Sequence, residues 1–141
     1  ATGRPLRVAP LPVSRGFRGA LLEAWSPVRD EIAVVERIEG ERQALWILRP
    51  DGGAARKILE LRASTYGGVD WTPDGERLIF AALAGETMQI FAVPRLSAGA
   101  APRQLTRDSL SLIHPQVSPD GRWIAATRMY RGKELRRVPL R

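Results

Sequence analysis

The 141-residue sequence predicts an all-β protein made of β-propeller blades, three four-stranded antiparallel blades per chain. Three observations lead there. A short phrase recurs with a fixed step: Trp25-Ser26-Pro27, Trp71-Thr72-Pro73-Asp74-Gly75 and Val117-Ser118-Pro119-Asp120-Gly121, each proline 46 residues after the last. A period of about 40 to 50 residues is the signature of solenoids, arrays and propellers. After each phrase come short apolar runs separated by turn residues, and four short strands per repeat is the make-up of a propeller blade. The turns also carry their own mechanism: proline presets φ, aspartate caps nearby backbone and glycine takes the left-handed position.

The second repeat shows the elements in order. Val69-Asp70-Trp71 reads as a short strand, and Pro73-Asp74-Gly75 turns the chain. Leu78-Ile79-Phe80-Ala81-Ala82 is continuously apolar, which suits a strand buried on both faces. Gly85-Glu86 makes the next turn, and residues 88–93 form a third strand. Residues 94–102 are a loop, and Arg103-Gln104-Leu105-Thr106 is a polar fourth strand suited to an edge. The first repeat places strands at 32–35, 44–48 and 57–59, with Arg49-Pro50-Asp51-Gly52 as a hairpin turn. The third places them at 123–127 and 135–138. Its fourth strand is missing, but Ala9-Pro10-Leu11-Pro12-Val13-Ser14 lies two periods before Ala101-Pro102-Arg103-Gln104-Leu105-Thr106 and matches its pattern.

The expected organisation is therefore one domain over 1–141, with blades at about 20–60, 67–106 and 114–140, and an N-terminal strand at 9–14 completing the last blade. Two prolines suit that strand to an edge. Propellers have four to eight blades, so three call for either a six-bladed ring made as a dimer or a longer parent chain. The offset strand favours the homodimer, joined through blade edges and strand 9–14. In the first repeat Arg29 stands where the others have glycine, which predicts a turn of another type there.

The Trp71–Phe80 and Val117–Ala125 segments, with Trp46-Ile47-Leu48-Arg49-Pro50-Asp51-Gly52-Gly53 and Arg103-Gln104-Leu105-Thr106, resemble the Trp-Ser-Pro-Asp-Gly repeats of TolB-like β-propellers. The resemblance covers about residues 9–140. It implies a bacterial protein and a non-enzymatic scaffold that binds a protein or peptide, as in the six-bladed periplasmic propeller of the Tol envelope system. The same superfamily includes propellers that gate substrate access in prolyl-oligopeptidase-type serine peptidases, so a fragment of such a propeller is the alternative. It also includes sensor-like propellers of bacterial regulators. A periplasmic setting follows by resemblance alone; the composition fits the cytoplasm equally.

The remaining residues argue against chemistry. Net charge is +7, nearly all from arginine, with Lys57 and Lys133 the only lysines. Such a balance favours acidic partners. The densest basic patch is Arg128, Arg131, Lys133, Arg136 and Arg137, beside Tyr130. Nucleic acid would need basic residues interleaved with exposed aromatics on one face, and the scattered arginines do not supply it. There is no cysteine and one histidine, His114, so neither a thiolate nor a multi-histidine metal site is expected, nor a cofactor. Ser109 and Ser111 lie near His114, but no Gly-x-Ser-x-Gly elbow occurs. Asp51, Asp74 and Asp120 repeat with the turns, which makes them structural. Trp25 and Trp71 are equivalent by the repeat and are expected to pack between blades. No apolar run approaches the roughly 20 residues that span a bilayer. The partner-binding rim is expected at Tyr66, His114, Arg107, Asp108 and the loop 107–113, because loops joining outer to inner strands cluster at one mouth of the ring.

Overall fold

The computed structural model describes residues 20–38, 42–62, 67–96, 99–129 and 133–140. Every regular element among them is a strand. The first sheet holds β1 (Ala20–Trp25), β2 (Ile32–Arg37), β3 (Arg42–Leu48) and β4 (Arg56–Arg62) in that order, each antiparallel to the next. The second holds β5 (Val69–Trp71), β6 (Arg77–Ala84), β7 (Thr87–Pro94) and β8 (Arg103–Gln104) in the same meander. The third has three strands among the described residues: β9 (Leu112–Val117), β10 (Trp123–Met129) and β11 (Lys133–Pro139). The strand expected at 9–14 falls outside the described residues.

The strands alternate their side chains between two faces, and both faces are covered in the middle sheet. Leu78, Phe80 and Ala82 of β6 face the first sheet, clustering with Ala33, Val35, Leu45 and Ile47. Ile79 and Ala81 face the third, clustering with Leu112, Ile124 and Ala126. This is why residues 78–82 read as one apolar run. Phe80 and Phe91 stack with ring centroids 5.9 Å apart, adding to the first of these cores.

The repeated phrase builds its turn through side chains. In the second sheet the Thr72 hydroxyl donates to Asp74 Oδ1 at 2.6 Å and accepts from the Arg77 amide at 3.0 Å. Asp74 Oδ1 also accepts from the Glu76 amide, and the Gly75 amide donates to the Thr72 carbonyl. Ser118, Asp120, Gly121, Arg122 and Trp123 repeat these bonds in the third sheet. Gly75 and Gly121 take φ of 66° and 69°, which only glycine adopts without strain. The first-sheet turn lacks the aspartate and glycine, and Arg29 avoids positive φ. The Arg29 side chain reaches across instead. Its Nη1 donates to the Gly75 carbonyl at 3.1 Å, and its Nη2 pairs with Glu76.

Neighbouring sheets are also joined at their inner strands. The Trp71 indole Nε1 donates to the Ala24 carbonyl at 2.9 Å. Asp70 Oδ2 accepts from the Val117 amide at 2.7 Å. Arg95 and Glu31 form a largely buried ion pair between the first two sheets. Trp71 is 3% exposed, as expected for packing between blades, but its repeat equivalent Trp25 is 60% exposed. Trp71 has the first sheet to pack against. Among the described residues no sheet stands in that position for Trp25.

Candidate functional site

The inner strands β1, β5 and β9 run side by side, and their residues line an axial cavity of about 350 Å³. Glu23 and Ala24, Gly68 and Asp70, and His114 and Gln116 contribute from the three sheets. His114 is the one non-glycine residue with positive φ among those described, at 51°. It sits where β9 slips register against β10, between the pairs Gln116–Ala125 and Ile113–Thr127. The His114 amide donates to the Gly67 carbonyl at 2.8 Å, and a Cβ on Gly68 would lie 2.8 Å from the His114 Cα. Close backbone approach between the second and third sheets therefore fixes His114 at the axis with its side chain exposed.

The loop leading to β9 is anchored by residues of β7 and β10. Gln89, almost fully buried on β7, donates from Nε2 to the Asp108 carbonyl at 2.9 Å and accepts on Oε1 from the Asp108 amide and the Thr106 hydroxyl. The Ser111 hydroxyl accepts from the Met88 amide at 3.0 Å. Asp108 accepts from the Leu110 amide and pairs with Arg128 at 3.0 Å. The Leu110 amide and then the Arg128 guanidinium hold the Asp108 carboxyl below its usual range, so it stays ionised. A polar residue inside the apolar run 88–93 is the one signal in the sequence for this staple.

The expected rim residues separate. Arg107 is exposed on the loop, Asp108 is braced beneath it, and His114 faces the axial cavity. Tyr66 lies outside the described residues. The expected basic patch is divided as well. Arg128 is tied to Asp108, and Arg137 stacks on Trp123 at 4.1 Å. Arg136 is exposed on β11 and helps to line a second groove of about 430 Å³ with Gln116, Val117, Ser118, Trp123, Ala125 and Arg137. Lys133 opens β11, and Arg131 and Tyr130 lie outside the described residues. No group of three metal-ligating side chains occurs among the described residues. No described helix is long and apolar enough to cross a membrane.

Known proteins give the fold its context. TolB from Acinetobacter baumannii superimposes with a TM-score of 0.73 at 18% identity, covering 90% of this chain and 31% of that one. The putative TolB from Agrobacterium tumefaciens gives 0.69 at 25% identity, covering 83% and 41%. The sheets match TolB-like propeller blades. A prolyl endopeptidase structure shares the fold at a TM-score of 0.60 and 14% identity, covering 78% of this chain and 19% of that one. By sequence, the uncharacterized protein Atu1656 of Agrobacterium fabrum is 28% identical over 92 residues, 65% of this chain. The uncharacterized peptidase YuxL of Bacillus subtilis is 29% identical over 76 residues, 54% of this chain. The chain spans 30% and 11% of the lengths of these two relatives. No family model matches.

Proposed function

We propose that the chain is a non-enzymatic TolB-like scaffold that binds a protein or peptide at the axial rim, and that two chains self-associate as half-propellers. The observation that supports rim binding best is the preorganised loop. Gln89, Ser111 and Arg128 anchor residues 106–111 from below, which leaves Arg107 exposed on the loop that leads into β9 and the exposed His114. Loops held on a rigid scaffold are where recognition concentrates. The TolB-like fold, and the excess of positive charge with its pull on acidic surfaces, agree with this reading. The test is affinity capture with the whole chain as bait, beside Arg107→Glu and His114→Ala variants. A partner held by the parent and lost by both variants supports the rim. A partner held equally by all three contradicts it.

A second reading has its own support: similarity to an uncharacterized peptidase and to a prolyl endopeptidase fold. In it the chain is part of a propeller that screens substrates for a serine peptidase. Sequencing the parent gene separates the two, because the peptidase reading requires a hydrolase domain in the same reading frame.

A further inference from the structure

The two ends of the sheet array are complementary, and the match is legible from the internal interface between the first and second sheets. There Trp71 sits in a cluster with Ala33 and Ile47, flanked by Ala24, and its indole donates to the Ala24 carbonyl. Two periods later Ala24 becomes Gln116 and Ala33 becomes Ala125. The strand pairs Ala33–Ile47 and Ala125–Arg137 make Arg137 the equivalent of Ile47. Gln116, Ala125 and Arg137 all line the 430 Å³ groove on the third sheet. That groove is the equivalent of the seat that Trp71 fills on the first sheet. At the opposite end of the array, Trp25, the repeat equivalent of Trp71, is 60% exposed.

The charges agree with the shapes. Val69 shares the internal cluster with Ile47. Its equivalent one period earlier is Glu23, exposed on β1 beside Trp25, and the equivalent of Ile47 is Arg137. Two apolar positions of the internal cluster are thus replaced by a carboxylate at one end and a guanidinium at the other. Such a pair favours docking of the chain's own two ends over apolar contact with an unrelated blade.

We propose that the first sheet of a second copy of this chain docks on the third sheet. Trp25 fills the groove, its Nε1 donates to the Gln116 carbonyl, and Glu23 meets Arg137. The contact rests on the self-association reading and specifies it. It is head-to-tail, so a two-fold axis along the propeller axis closes two copies with both grooves filled.

Sedimentation equilibrium of the whole chain and its variants tests this. Trp25 and Glu23 are exposed, so their replacement leaves the isolated fold intact, and circular dichroism checks that. The parent chain should dimerise, and Trp25→Ala should raise the dimer Kd by about 30-fold or more, as for an aromatic hot spot. Glu23→Arg and Arg137→Glu should each weaken the dimer, and the double charge exchange should restore it, which a merely structural role would not do. A dimer indifferent to Trp25→Ala and to both reversals overturns this contact while leaving self-association in place. A monomer at every concentration overturns both.

Discussion

Trp71 is the residue whose loss should cost the array most. Its side chain is 3% exposed in the core between the first two sheets, and its indole satisfies the Ala24 carbonyl at 2.9 Å. Truncating a buried aromatic to alanine costs about 3–5 kcal/mol, from lost transfer and the cavity left behind. Trp71→Phe keeps most of the apolar contact but strands the carbonyl, at about 1–3 kcal/mol. For a chain of this size each kcal/mol lowers Tm by about 3–5 °C. Thermal unfolding followed by circular dichroism should therefore show a large drop for Trp71→Ala and a smaller one for Trp71→Phe. Trp25→Phe, at the exposed equivalent position, should leave monomer Tm within about 2 °C, since substitutions away from such contacts stay within about ±0.5 kcal/mol. If Trp71→Phe and Trp25→Phe change Tm equally at a concentration where the chain is monomeric, the inter-sheet assignment is wrong.

Other substitutions separate backbone conformation from packing. Gly121→Ala should cost about 1–2 kcal/mol, because its φ of 69° is unfavourable for any side chain while a Cβ meets Pro73 only at 3.4 Å. Gly75→Ala should cost about 1–3 kcal/mol more by urea titration, since its Cβ would lie 2.5 Å from Val28 Cγ2. Asp108→Ala should destabilise by about 1–3 kcal/mol and expose the 107–111 loop to protease, because the Leu110 amide and Arg128 lose their acceptor. Stability should also fall in acid. Hydrogen bonds from Thr72 to Asp74, Ser118 to Asp120 and Arg49 to Asp51 lower these carboxyl pKa values, Asp51 to about 2. Depressed folded pKa values mean that the unfolded chain binds more protons, so the contribution is complete above the ordinary value of 3.8 and is lost as pH falls from there towards about 2. Urea midpoints at neutral and acid pH should show the loss, and Asp74→Asn should flatten it.

Much of the blade was legible because its causes are local. The Thr72-Pro73-Asp74-Gly75 turn closes on its own side chains, and the double-sided burial of β6 shows directly as an unbroken apolar run. The strand ends were not, because long-range partners set them. β2 extends past Val35 to a buried Glu36, which accepts from the Trp46 indole at 2.8 Å. The 46-residue period holds on the second strand of each sheet but becomes 45 on the third, where Leu48, Val93 and Val138 pair with Ile32, Leu78 and Ile124. The first-sheet hairpin between β2 and β3 is longer than its counterpart in the second, a difference of loop length that no strand pattern encodes. At the rim the sequence pointed to the loop 107–113 and to His114; Gln89 stood out only as a polar residue in an apolar run, and nothing local showed that it would hold that loop, or that Arg128 and Arg137 would be engaged by Asp108 and Trp123. Those contacts join residues far apart in the chain. The same holds for Trp25 and Trp71, identical by the repeat and opposite in exposure.

On the proposed self-association, these blades form half of a ring whose ends fit one another. Light scattering on the eluting peak of a size-exclusion column, at tens of micromolar chain, tests it most directly. A particle of twice the 15.6 kDa chain mass is expected. A compact particle of 15.6 kDa across the whole concentration range would contradict it.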